Sequence, residues 1–298
     1  MAPKMAEQPA IRELGPSPFE GTKIVGELRL QVGTRAGKAI ATRQYHQGAL
    51  RILRPHYLDD TAQVCYTIVN PGGGYLGGDN YGIEVSVDED TSLLLTTQSA
   101  TKVYKTPGTF ARQDMVVRLG PGAVLEYVPD QLIAYRGASY RQYTRVDMHQ
   151  DSSLLFCEVL TPGWSPDGKP FRYDEVRLRT EVSVGGKLAV LDNLLVRPGE
   201  DSLDSLLFLQ DFTHVGMLLA IDAKIGASDV ERIRELAYRI GEAQRTPVHL
   251  GISQVPGPGV AVRALSNSTE AINAVLMAVV DELRLHLRGQ KPLNLRKY

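Results

Sequence analysis

Hydrophobic and polar residues alternate along much of the chain. Arg177-Leu178-Arg179-Thr180-Glu181-Val182 switches at every residue, the period of a strand with one packed face and one wet face. The same pattern predicts strands over Ile24 to Val32, Ala39 to Tyr45, Val64 to Val69, Ile83 to Val87, Met115 to Leu119, Tyr140 to Val146 and Val176 to Val184. Turns rich in Gly, Pro, Asp and Asn divide them. Four turn-plus-aliphatic runs recur in this region, beginning at Ser92, Gly122, Ser153 and Lys187, at intervals of 30, 31 and 34 residues. An interval in this range predicts stacked coils, each burying its apolar face on the next.

The last third changes period. Ser228-Asp229-Val230-Glu231 has the spacing of a capping box, and Val230, Ile233, Ala237 and Ile240 follow as one helical stripe that ends near Gly241. A second helix is predicted from Ser268, with Ile272, Val275, Leu276, Val279, Leu283 and Leu287 on one face. Between them, Val248 to Val255 and Gly259 to Ala264 read as strands around the turn Pro256-Gly257-Pro258. The expected fold is mainly β: a large stacked, β-helix-like body with a C-terminal β-α-β-β-α portion containing two helices. Residues 1–22, with four prolines, read as a flexible tail. Residues 23–298 read as a single domain, its β body over about 23–214 and its α/β portion over about 215–298.

Composition narrows the function classes. A net charge of −1, from 33 basic and 34 acidic residues, gives no long-range attraction for nucleic acid. Basic residues gather at Arg29 to Arg54 and at Arg284 to Lys297, and both clusters read as solvated rims. The two cysteines, Cys65 and Cys157, sit in apolar runs and read as reduced, buried thiols. The first residues lack the apolar run of a secretory signal, and no segment reaches membrane-spanning length. A cytoplasmic protein without membrane contact is the expectation.

The common catalytic signatures are missing: no G-x-S-x-G elbow, no phosphate-binding P-loop, no H-E-x-x-H. Gly72-Gly73-Gly74-Tyr75-Leu76-Gly77-Gly78 leads into Asp79 and a strand rather than a helix, so it reads as a tight turn needing positive φ, not an anion cradle. The six histidines show no ligand-pair spacing. Carboxylates carry more information. Counting from each run start, Thr97, Glu158 and Asp192 share one register, and Glu126 joins with an offset of one residue. Each acid is embedded among apolar neighbours, and in stacked coils such groups line up along the interior. A line of this kind needs water, cations or basic partners.

Two segments identify a family. Asn70-Pro71-Gly72-Gly73-Gly74 with Gly77-Gly78-Asp79, and Leu95-Thr96-Thr97-Gln98-Ser99-Ala100-Thr101-Lys102-Val103-Tyr104-Lys105, are similar to the P-G-G … G-G-D and T-T-Q-x-A-T-K-V-Y-[RK] segments of UreD (UreH) urease accessory proteins. Leu125-Glu126-Tyr127-Val128-Pro129-Asp130, Thr161-Pro162-Gly163-Trp164-Ser165 and the closing Leu287 to Pro292 resemble further family segments. Gln131-Leu132 replaces the proline many members carry after P-D, and the chain closes on Leu295-Arg296-Lys297-Tyr298 rather than P-R-x-W.

The resemblance implies a scaffold rather than an enzyme. In the family, UreD binds UreF, which recruits the GTPase UreG. That assembly docks on apo-urease, where nickel and a carbamylated lysine complete the active site. An internal passage for Ni²⁺ is implied, with no tightly bound cofactor, and Asp79, Thr101, Glu158 and Asp192 correspond by position to polar sites along it. Glu126 is a further candidate. Lys102 is expected to pair with an internal acid such as Asp79, and the helix at 268–288 to offer an exposed contact surface. Two other readings stand beside this one. A carbohydrate-active β-solenoid enzyme would use two carboxylates across a cleft, for instance Glu126 and Glu158. A passive β interaction module would have no metal role.

Overall fold

The computed structural model describes residues 18, 19, 21, 23–205 and 208–295. The expected N-terminal tail and the last three residues of the divergent C-terminus lie almost wholly outside the described residues.

The chain begins with a hairpin of β1 (Gly26–Arg35) and β2 (Lys38–Gly48), then the short β3 (Arg51–Ile52). From there it winds. β4 (Val64–Val69) and β5 (Asn80–Val87) are followed by β6 (Ser92–Thr97), β7 (Thr101–Val103) and β8 (Ala111–Leu119). The next coil is β9 (Val124–Tyr127), β10 (Leu132–Ala134) and β11 (Ser139–Met148). The last is β12 (Ser153–Leu160) and β13 (Glu175–Val184), closed by β14 (Lys187–Val196).

Two sheets result. A 7-stranded sheet has the order β14-β13-β11-β8-β5-β1-β2, and a 10-stranded sheet contains β12-β9-β6-β4-β3. Within the coils neighbouring strands are parallel, as in Leu93↔Leu125 and Leu125↔Leu154. The stacking expected from the repeat is therefore present for the runs at Ser92, Gly122 and Ser153. The Lys187 run departs from it. Gly185 and Gly186, both at positive φ, close a two-residue turn, so β14 folds back antiparallel on β13 and stays in the 7-stranded sheet.

The C-terminal portion extends the larger sheet. β15 (His214–Ile221), β16 (Val248–Gln254) and β17 (Gly259–Ser266) add the order β16-β17-β15 beyond β12. Helices α1 (Ala227–Glu242) and α2 (Thr269–Arg288) alternate with them, giving the expected β-α-β-β-α order. The α1 cap differs from the expected box. Gly226 is the N-cap, and the Asp229 carboxylate accepts its N–H at 2.8 Å. An acid at the third helical position reaches back more directly than Ser228, which is already inside the first turn. Ser268 caps α2, accepting the Ala271 N–H, and Gly289 ends it in the left-handed conformation.

The alternating pattern sorts side chains onto two cores. Leu93, Leu125, Leu154 and Phe156 face the 7-stranded sheet, whereas Leu94, Leu155, Cys157 and Leu218 face the helices. Ile272, Val275, Leu276, Val279, Leu283 and Leu287 are all buried in this second core. Full burial of each such side chain stabilises by roughly 1.5–3 kcal/mol. The apolar face of α2 is thus satisfied internally and leaves no exposed docking stripe, contrary to the sequence expectation. Among the described residues no helix is long and apolar enough to cross a membrane.

Candidate functional site

The space between the two sheets is largely apolar, and one hydrogen-bonded polar line runs through it. Tyr81, Gln113 and Gln142 occupy equivalent positions on β5, β8 and β11, all pointing inward. Tyr75 stacks on Tyr81, with ring centroids 3.8 Å apart and planes 12° from parallel. Its hydroxyl donates to Gln113 Oε1 at 2.5 Å. Gln113 Nε2 donates to Gln142 Oε1 at 3.4 Å, and Tyr140 Oη donates to the same oxygen at 3.1 Å. Gln142 Nε2 then donates to Glu158 Oε1 of β12. The row runs unbroken from the first coil to the last.

One end opens to the surface. A cavity of about 50 Å³ is lined by Asn70, Gly74, Tyr75, Thr97, Thr101 and Lys102, and reaches inward to Gln113 and Tyr127. The glycine-rich turn forms its rim. Gly73 and Gly78 lie at φ 80° and 84°, as a tight turn requires, and Gly74 allows close approach: a Cβ there would lie 2.6 Å from Tyr104 Cε2 and 2.7 Å from the Lys102 carbonyl oxygen. Thr97 and Thr101 fix the opposite rim, Thr97 by accepting the Asp130 N–H at 2.9 Å and Thr101 by donating its N–H to the Gln131 carbonyl at 2.9 Å.

At the far end Glu158 meets Asp192 and Arg263. Asp192 extends from β14 and forms an ion pair with Arg263 of β17. Leu160, Leu178, Leu194, Val215 and Met217 wall the remaining space, about 10 Å³. Glu158 lines this space, and burial pushes its carboxyl up to about 7. The hydrogen bond from Gln142 opposes that rise, Asp192 adds to it and Arg263 opposes it.

The candidate residues therefore separate into three groups. Glu158 and Asp192 come together at the far end. Thr101 lines the open end, and Asp79 stands beside it, accepting the Leu76 N–H at 2.8 Å and the Tyr81 hydroxyl at 3.1 Å. Asp79 thus touches the row through Tyr81, both bonds falling on its Oδ2, and the expected Lys102–Asp79 ion pair does not form among the described residues. Glu126 belongs to neither end. Its register partners are Leu94 and Leu155, which puts it on the opposite face, under α2. There it is fully buried between Arg284 and Arg288. The one-residue offset of the sequence reading is a change of face, because side chains alternate along a strand.

Two further consequences follow from Glu126. It cannot face Glu158 across a cleft, which removes the carboxylate pair a glycosidase would need. The basic cluster at the chain end is also not simply a solvated rim: Arg284 is 1% exposed, whereas the Lys291 side chain is 76% exposed. Arg29, in the other cluster, is likewise buried and paired with Glu84 at 2.6 Å. Among the described residues no group of three or more His, Cys, Asp or Glu converges on one point.

Gln113, Gln142, Tyr75 and Arg263 escape a search for acids and metal ligands. The two glutamines carry a signal all the same. Each lies in the inward phase of its strand, between Ala111 and Met115 or between Tyr140 and Thr144, where an apolar residue belongs.

Comparison with known proteins agrees with this architecture. The family model described as "UreD urease accessory protein" matches residues 25–297. The urease accessory protein UreD of Arthrobacter sp. (strain FB24) is 52% identical over 278 residues, covering 92% of this chain and 94% of that protein. UreD of Paenarthrobacter aurescens (strain TC1) is 51% identical, covering 92% and 95%. UreD of Bacillus cereus (strain ATCC 10987 / NRS 248) is 34% identical, covering 92% and 98%. The chain belongs to the UreD family of urease accessory proteins. Its role lies in urease maturation, as an accessory protein and not as an enzyme.

Proposed function

We propose that this UreD family member gives Ni²⁺ a route through its interior on the way to apo-urease, in a cytoplasmic complex with UreF and the GTPase UreG. The observation that carries the reading is the hydrogen-bonded polar row Tyr75–Gln113–Gln142–Glu158 through a largely apolar core. Burying such groups is costly unless they serve each other or a guest. A passive interaction module has no use for them, since leucines would fill the same volume at lower cost.

The chemistry suits a mobile cargo. Ni²⁺ must exchange hydration oxygens for protein oxygens on entry and recover them on exit. Amide, hydroxyl and isolated carboxylate oxygens hold the ion weakly, whereas clustered imidazoles or thiolates would retain it. Thr97 and Thr101 at the mouth and Glu158 with Asp192 at the far end are the residues that would guide it, with Asp79 orienting Tyr81. Nickel is cargo here, not a resident cofactor.

The test is urease activation by the purified proteins, with Glu158→Gln and Asp192→Asn combined to keep shape and remove charge. Assembly with UreF, UreG and apo-urease should survive while activation falls severalfold. Full activation by the double variant, with assembly intact, would overturn the transit reading.

A further inference from the structure

The far end holds a cation already. The Arg263 guanidinium lies against Asp192 and within electrostatic reach of Glu158. Its side chain is 42% exposed, against 18% for Asp192, so it reaches into the cavity from the solvent side and can leave the same way. The space beside it, about 10 Å³, holds at most one water molecule. With Arg263 in place, the Asp192 carboxylate already holds a cation.

A second, independent feature lies behind Asp192. Thr144, Thr180 and Asp192 are cross-strand neighbours on one row of the 7-stranded sheet. Thr144 and Thr180 are 2% and 1% exposed, and neither hydroxyl has a hydrogen-bond partner among the described residues. Buried polar groups are normally satisfied, so two orphan hydroxyls in one row that ends on the Asp192 carboxylate call for an explanation.

We propose that Asp192, Glu158 and Thr180 form an oxygen station for a divalent cation, and that Arg263 is the tethered cation that closes it. Arginine stays charged at any working pH, so its competition for Asp192 is constant and ends only when the side chain swings outward. The lone protein therefore binds the ion weakly, and release and capture are set by the position of one side chain. This rests on the transit reading, but its test needs neither urease nor partners.

The experiment is equilibrium dialysis of the isolated full-length protein against Ni²⁺ at pH 8, with folding checked by thermal denaturation. Arg263→Gln should bind one equivalent at least tenfold more tightly than the unaltered protein. Adding Asp192→Asn should abolish the gain, and adding Thr180→Val should reduce it severalfold. If Arg263→Gln does not fold, Arg263→Lys takes its place: lysine lacks the planar fork, and a gain of threefold or more is expected. Affinity unchanged in the folded variant overturns the proposal, as does a gain that survives Asp192→Asn. Tighter binding together with full nickel loading by the Glu158/Asp192 double variant would keep the gated station and discard transit. No change in binding together with failed loading would do the reverse.

Discussion

Glu126 on β9 and Arg284 on α2 form an ion pair in which the side chains are 0% and 1% exposed. Arg284 also donates to Gln63 Oε1 at 3.0 Å, and Arg288 binds the second Glu126 oxygen at 2.5 Å. This cluster pins the end of α2 to the outer face of the larger sheet, and with it the segment up to Gln290, which is itself buried. Removing one partner of such a pair leaves a buried charge uncompensated, at about 3–5 kcal/mol. Glu126→Ala should therefore lower the urea midpoint sharply. A midpoint within experimental error of the unaltered protein would show that the pair contributes nothing to the fold.

Glu158 predicts a pH dependence of stability. Its folded value of about 7 lies above the ordinary 4.5, so the folded state holds the proton more tightly than the unfolded chain. The stabilisation is complete below about pH 4.5 and is lost as pH rises through 7. At pH 8 the loss amounts to at most about 3 kcal/mol. Denaturation midpoints taken from pH 5 to 8 should fall in the unaltered protein and flatten in Glu158→Gln. Parallel curves would contradict the assignment.

Thr144→Val should stabilise. The substitution is nearly isosteric and removes a buried hydroxyl that has no partner among the described residues, a gain of about 1 kcal/mol. A rise of a few degrees in Tm is expected, and a fall would mean that the hydroxyl is satisfied in solution.

Gly74→Ala should destabilise by about 1–3 kcal/mol. The added Cβ meets a backbone carbonyl as well as the Tyr104 ring, and the carbonyl of Lys102 is held by the Tyr75 N–H at 2.8 Å. Chemical denaturation reads the effect, and an unchanged midpoint would refute the close approach.

Much of this fold is legible in sequence because strand and helix periods are local. The β6, β9 and β12 coils and the stripe of α2 follow from spacing alone. What sequence hides is which face of a strand looks where. Glu126 and Glu158 both stand among apolar neighbours, yet one faces the helices and the other the interior, and only the pairing Leu94↔Glu126 decides it. Asp192 reaches Glu158 for a reason the repeat does not contain: β14 turns back into the opposite sheet. Arg263 comes from a strand more than a hundred residues after Glu158 in the sequence, and no local pattern announces that meeting.

The central claim is that nickel passes Glu158 and Asp192. Its most direct test is the nickel content of urease matured with Glu158→Ala/Asp192→Ala at limiting nickel, measured by elemental analysis of the purified enzyme. Nickel per active site should fall severalfold while UreF, UreG and apo-urease still co-purify with the variant. Urease carrying its full nickel complement under those conditions would contradict the account.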